Sequence, residues 1–194
     1  MSKGKISKKA IVLVGPSGSG KTTLINEIMR LQQEEGYRFP FGELKFIKSY
    51  TTKLARLEDY IPITKEEFEQ KIANGELVEY TNYDGNYYGV GKDTIENLGD
   101  KIGIKAFDIV GVKSLKRLYG DDIIAIFTYR KTPALIASIM ERNVSDAEKH
   151  SRISQLENEQ KNRFAEEIDG VLKMDEGDLP ATVERFMHLI EAVK

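Results

Sequence analysis

The chain has no cysteine, which rules out a disulfide framework and any thiolate metal site and fits a reducing cytosol. Histidine is scarce as well. Only His150 and His188 occur, both in stretches of helical character, and both are expected on exposed helix faces. A histidine-based mechanism is therefore not expected. Long apolar runs are missing too. After Lys3, Lys5, Lys8 and Lys9, only the short run Ile11–Val14 precedes Gly15. That run is too short for a signal-peptide core or a spanning helix, so a solvated lysine tail, a cytoplasmic location and no membrane partner are expected. An excess of one charge sign is absent: 29 basic residues face 31 acidic ones, a net charge of −2. Nothing here resembles a broad footprint for nucleic acid. Any phosphate this protein binds must be held by a local cluster.

What is present is alternation. Short β-branched runs alternate with amphipathic stretches over 194 residues, which predicts an α/β domain with a largely parallel sheet flanked by helices. Core strands are expected at 10–14, 44–49, 102–107, 123–129 and 171–174. Helices are expected at 22–33, 110–118, from Thr132-Pro133, and at 180–193. Two capping boxes, Thr64-Lys-Glu-Glu67 and Ser145-Asp-Ala-Glu148, open a short helix at 65–73 and a long polar one. The first should stop at Asn74-Gly75. Two regions break the alternation. Residues 49–91 are rich in Tyr, Thr, Gly and charge, and residues 141–152 are polar and join two helices. The expected division of the single domain 1–194 is a core of 1–48, 92–140 and 153–194, an acceptor-binding insertion at 49–91, and a mobile lid at 141–152.

The stretch GPSGSGKTT at 15–23 follows the first strand and opens the first helix. Gly15, Gly20, Lys21 and Thr22 stand at the defined positions of the phosphate-binding loop. Glycines let successive backbone N–H groups face one anion, at the positive end of the following helix. Lys21 supplies a movable point charge, and Thr22 a hard oxygen for Mg²⁺. Gly15, Pro16, Ser17, Gly18, Ser19, Gly20, Lys21, Thr22 and Thr23 are thus the candidate ATP-binding residues.

Downstream, SYTTK (49–53), DY (59–60), KEEFEQKIANGELVEY (65–80), GNYYG (85–89), a D-I-x-G-x-K stretch from Asp108 to Lys113, and the segment Arg142 to Arg152 follow in order. Together with the loop, they resemble the guanylate kinases over nearly the whole chain. The resemblance implies ATP as phosphoryl donor, Mg²⁺ as cofactor and GMP or dGMP as acceptor. By position, Glu79 is similar to the family's guanine-reading glutamate. One carboxylate can accept both the N1–H and the 2-amino group of guanine, whereas adenine offers an acceptor at N1. Ser49 and Asp108 fall where further base contacts lie. Lys53 and Arg56 match a pair of phosphate-binding arginines, and Tyr60 and Tyr88 the phosphate-binding tyrosines. Lys21, Arg142 and Arg152 are the expected catalytic cations, the two arginines belonging to the lid. A monomer or homodimer is expected.

The chain also departs from that pattern. Lys53 and Ala106 replace an arginine and an aspartate. The segment from Arg56 to Tyr60 is shorter than usual, and Val90 stands where a hydroxyl residue is common. Met174 lies near the place of an asparagine. These departures keep a related kinase with another small phosphorylated acceptor in view. A non-catalytic protein-binding module and a switch or motor NTPase are the other readings. The intact loop opposes the module, and GELVEY with GNYYG opposes the motor.

Overall fold

A computed structural model describes residues 8–54, 58–174 and 177–193. Arg56 and the leading lysines Lys3 and Lys5 lie outside the described residues. In chain order the elements are β1 (Ala10–Val14), α1 (Lys21–Leu31), β2 (Leu44–Phe46), β3 (Ser49–Thr51), β4 (Tyr60–Pro62), α2 (Lys65–Ala73), β5 (Leu77–Tyr83) and β6 (Asn86–Gly91). They continue with α3 (Lys92–Glu96), β7 (Ile102–Ala106), α4 (Ile109–Tyr119), β8 (Ile123–Tyr129), α5 (Thr132–Met140), α6 (Asp146–Lys161), β9 (Gly170–Lys173) and α7 (Leu179–Val193).

The main sheet runs β2-β7-β1-β8-β9, every neighbouring pair parallel. β1 is buried along its whole length and sits at the centre of the sheet. Both faces of the sheet are covered, which explains why its strands read as continuous apolar runs. One face packs Ile11, Leu13, Ile102 and Ile104 against Leu24 and Ile28 of α1 and Phe186 and Ile190 of α7. The other packs Ala10, Val12, Ala125 and Phe127 against Val112 and Leu115 of α4. Each fully buried Leu or Ile here contributes about 1.5–3 kcal/mol. Chain order reverses at β1, whose neighbours are β7 and β8, so a crevice is expected beyond the carboxyl ends of these strands.

The stretch expected as one strand at 44–49 is divided between two sheets. Leu44–Phe46 pairs with β7, whereas Ser49–Thr51 opens a second sheet ordered β4-β3-β6-β5. This sheet and α2 account for residues 49–91, and α3 follows directly. β5 and β6 form an antiparallel hairpin across Asp84-Gly85, both at positive φ, as a two-residue turn matched to strand twist requires.

α2 occupies the expected range. Its capping box is reciprocal, with Thr64 N donating to Glu67 Oε2 at 2.7 Å and Glu67 N to Thr64 Oγ1 at 3.1 Å. The second box is only half made. Glu148 N donates to Ser145 Oγ at 3.2 Å, but the Glu148 carboxylate turns to Arg152 at 2.7 Å instead. A charge-assisted pair outcompetes a backbone N–H exposed to water. α6 is continuous from Asp146 to Lys161, so the boundary expected at 153 falls inside a helix. Among the described residues, no helix is long and apolar enough to cross a membrane.

Candidate active site

The loop between β1 and α1 lies at the carboxyl end of the central strand. Gly15, Gly18 and Gly20 have φ of 148°, 84° and 91°, and Gly20 is the N-cap of α1 without a side-chain cap. The first N–H groups of α1 therefore remain available to an anion. At Gly15 a side chain is excluded outright, since a Cβ would stand 2.5 Å from Thr128 Oγ1. Thr128 fixes the loop from β8. Its hydroxyl lies 2.7 Å from that of the buried Ser19 and donates to Val14 O at 3.0 Å. With the Thr128 proton on Val14, Ser19 is the donor between the two hydroxyls.

Lys21 donates to Gly15 O at 2.5 Å and Pro16 O at 3.0 Å, so the ammonium folds back onto its own loop. Burial lowers its pKa to about 8, Glu159 opposing this shift and Arg142 adding to it. Pro16 is buried and contributes this carbonyl rather than a surface. Ser17, Gly18, Ser19, Gly20, Lys21, Thr22 and Thr23 line a cavity of about 520 Å³, together with Gly15, Asp108, Arg130, Arg142 and Arg152. Arg152, from α6, donates to Ser17 Oγ at 2.7 Å while paired with Glu148. Arg142, in the turn after α5, is exposed at the cavity mouth. Arg130 donates to Gly18 O at 3.1 Å and Ser138 Oγ at 2.7 Å, and its carbonyl accepts from Gln160 at 2.8 Å. Two further cavities, about 490 and 320 Å³, share Arg130 and Met174. The Met174 methyl end lies 2.9 Å from where a Gly20 Cβ would be and could move aside, so it is the φ of 91° that favours glycine there.

The second sheet supplies a smaller cavity of about 200 Å³, lined by Ser49, Glu79, Tyr88, Val90 and Asp108 among others. Asp108 lines both this cavity and the larger one. It also caps α4, its Oδ1 accepting from Gly111 N at 2.7 Å. Glu79 leans over the same turn, with Oε2 2.0 Å from where a Gly111 Cβ would stand. Burial first, and then the nearby Asp108, raise the Glu79 pKa to about 7, against the opposing pull of Lys105. Tyr60 packs edge-on against Tyr88 with ring centroids 5.8 Å apart, and burial raises its pKa.

The fold thus brings Ser49, Glu79, Tyr88 and Asp108 together, with Tyr60 alongside. Lys53 is exposed beyond β3 and does not line this cavity, and Arg56 lies outside the described residues. Val90 is buried in its wall and Ala106 faces the larger cavity. His150 and His188 are exposed on α6 and α7, as expected. Sequence reasoning missed Lys105, Thr128, Arg130, Glu159 and Gln160. The signal was legible for two of them, because Lys105 and Thr128 are polar residues inside apolar strand runs.

The guanylate kinase family model matches residues 7–193. The chain is 32% identical over 192 residues to a guanylate kinase of Streptococcus mutans, covering 93% of this chain and 84% of that protein. It is 32% identical over 187 residues to one from Chlorobaculum tepidum, covering 91% and 88%. The crystal structure of guanylate kinase from Anaplasma phagocytophilum has the same fold, with a TM-score of 0.62 at 22% identity over 99% of this chain and 87% of that one. A shikimate kinase from Acinetobacter baumannii is a more distant likeness, with a TM-score of 0.50 at 15% identity over 95% of this chain and 94% of that one. A full-length family match and relatives at this identity and coverage place the protein: the chain belongs to the guanylate kinase family.

Proposed function

We propose that this chain transfers the γ-phosphoryl group of ATP to GMP or dGMP, giving ADP and GDP or dGDP. The observation that carries the reading is the pair of cavities sharing Asp108, one walled by the phosphate loop and one holding the half-buried Glu79 carboxylate. The triphosphate lies along residues 15–23, with its base toward Arg130 and Met174. Lys21 exchanges the loop carbonyls for phosphate oxygens, and Arg142 and Arg152 screen the charge that develops in transfer. Guanine lies against Glu79, Ser49 and Asp108. The acceptor phosphate lies against Tyr60 and Tyr88, and Lys53 and Arg56 are the further cations assigned to it.

Thr22 fits Mg²⁺: its hydroxyl is on the cavity wall, and no group of three or more His, Cys, Asp or Glu among the described residues could hold a metal alone. The ion would therefore arrive with the nucleotide, and it would supply charge neutralisation between phosphates. The acceptor phosphate has a second pKa of about 6 and is mostly a dianion at neutral pH, so no strong base is needed. Its oxygen attacks the γ-phosphorus in line, the bond to the bridging β–γ oxygen breaks, and ADP leaves. All the proposed groups come from one chain, so a monomer suffices. The cytoplasm, where these nucleotides are exchanged, is the compartment this reading assigns.

Lys53 lying outside the acceptor cavity favours the second reading, a kinase for another small phosphorylated acceptor. ADP release measured with ATP·Mg and GMP, dGMP, AMP, CMP or UMP separates the two. Turnover confined to guanine acceptors is expected, and equal rates with AMP would refute the proposal.

A further inference from the structure

β7 carries the run IGIKAF, and strand alternation puts Lys105 on the same face as Gly103, opposite Ile102 and Ile104. That face is an apolar layer of Val12, Ile47, Val112 and their neighbours. A lysine there is out of pattern and costs desolvation. Its ammonium is not left unsupported. It donates to Ile47 O at 3.2 Å and stands 4.9 Å over the Phe46 ring. Ile47 lies in the link between β2 and β3, so this contact is made where the chain passes from the main sheet into the second one. From that seat, without a direct ion pair, Lys105 feels the charges of two carboxylates, Glu79 from β5 first and Asp59 from the turn before β4 second. Glu79 in turn faces Lys105 from β7 and Asp108 from the start of α4, and the Tyr88 hydroxyl of β6 lines the same cavity.

Two carboxylates beside one small cavity repel each other, and the half-buried Lys105, whose pKa burial lowers to about 8, still supplies a cation on their side of the main sheet at neutral pH. We propose that Lys105 is a positioning and specificity-determining residue of the acceptor site: its ammonium, seated under the second sheet, balances Glu79 against Asp108 and so keeps Glu79 able to accept both guanine N–H groups. The proposal rests on the reading that Glu79 meets the acceptor base. The physical consequence concerns protonation. A carboxylate accepts from N1–H and the 2-amino group together. A protonated carboxyl keeps one acceptor oxygen and gains a donor, which suits the N1 of adenine. Losing the cation therefore weakens guanine binding and relaxes discrimination against AMP.

The test uses Lys105→Met, similar in length and apolar, with Lys105→Arg and Glu79→Gln as companions. The Glu79 carboxyl titrates at about 7. If removal of the cation raises that midpoint by about one pH unit, the ionised fraction at pH 7 falls from about one half to about one tenth. The KM for GMP should then rise about fivefold at pH 7 and about tenfold at pH 6, but by less than about 1.5-fold at pH 8.5. kcat and the KM for ATP should hold, the ratio of GMP to AMP turnover should fall, and Lys105→Arg should keep the wild-type profile. Ionisation of the GMP phosphate is common to all variants and cancels in the ratio. A KM ratio independent of pH, or Lys105→Arg behaving like Lys105→Met, would overturn the role of Lys105. Glu79→Gln leaving the KM for GMP unchanged would instead overturn the underlying reading of Glu79. Should Lys105→Met fail to fold, the Arg variant and the GMP-to-AMP ratio of Lys105→Gln carry the same decision.

Discussion

Gly111→Ala is the substitution that most directly opposes stability to function here. Gly111 lies in the first turn of α4, in ordinary helical backbone, where alanine is favoured over glycine by about 1 kcal/mol. A methyl group at this position would stand 2.0 Å from Glu79 Oε2 and 2.8 Å from Phe107 Cδ1, where ordinary contact begins at 3.4 Å. The carboxylate ends a flexible side chain and can move away by more than an ångström. The Phe107 ring yields less easily and consumes part of the helical gain. Net stability should therefore change by less than about 1 kcal/mol, or about 2–4 °C in Tm. On the proposed reading of Glu79, the guanine edge then loses its partner. Two charge-assisted hydrogen bonds contribute about 1.5–3 kcal/mol each, so forfeiting one or both lowers kcat/KM for GMP by about 10-fold to 10⁴-fold. A coupled ADP-release assay at varied GMP, with ATP saturating, measures the loss, and thermal melts measure the fold. The KM for ATP should not change. Repeating the substitution in a Glu79→Gln background should show most of the effect gone. A folded Gly111→Ala protein with wild-type kcat/KM for GMP would refute the placement of Glu79 over this turn.

Three further outcomes follow from the same charges and hydroxyls. Lys21→Met should lower kcat by at least about 10²-fold; because the lysine's pKa falls from 10.5 to about 8 in the fold, wild-type stability rises as pH climbs from 8 to 10.5. Denaturant melts should accordingly show the Met variant gaining on wild type, by on the order of 3 kcal/mol, as pH is lowered across that window, and parallel curves would contradict it. Glu79→Gln follows the opposite limb, since a carboxyl raised from 4.5 to about 7 makes the folded state less stable as pH rises through that range. The Gln variant should gain on wild type between pH 5 and 8 while losing guanine preference, and an equal difference at both pH values would count against a buried carboxylate. Thr128→Val strips the hydroxyl that joins Ser19 to Val14 and should cost about 1–3 kcal/mol in melts, with a raised KM for ATP and an unchanged KM for GMP.

Much of the main sheet was legible because periodicity and caps are local. The phosphate loop, β8, α2 and the start of α5 stand where apolar runs, Thr64, Asn74-Gly75 and Pro133 put them. The second sheet was less legible for a physical reason. β3 and β4 have three residues each and β5 is exposed over much of its length, so they carry little apolar pattern. The Asp84-Gly85 pair was the available hairpin signal. The division of 44–49 between two sheets could not be read locally, because Ile47 belongs to the core of one sheet while Ser49 begins the other. Half of the second capping box was misread because Arg152 competes for Glu148 from the next turn of the same helix.

Three of the residues that sequence reasoning missed, Lys105, Thr128 and Gln160, share a property that explains why they matter. Lys105 and Thr128 are polar at positions where the strand pattern calls for apolar side chains, and Gln160 is a buried amide on an otherwise solvated helix. Each costs desolvation and side-chain freedom unless it is satisfied by a partner. In each case the partner belongs to the site or its supports. Thr128 holds the loop through Ser19, Gln160 holds the backbone of Arg130, and Lys105 faces Glu79. A soluble α/β domain needs none of these three to fold, and an apolar residue at 105 would pack more cheaply. Local violations of pattern are tolerated where they position chemistry. The inverse substitutions, Val90 and Ala106, set apolar groups into the walls of the two cavities. If Glu79 meets the acceptor base as proposed, a cation placed beside it governs its protonation and therefore which base edge it accepts.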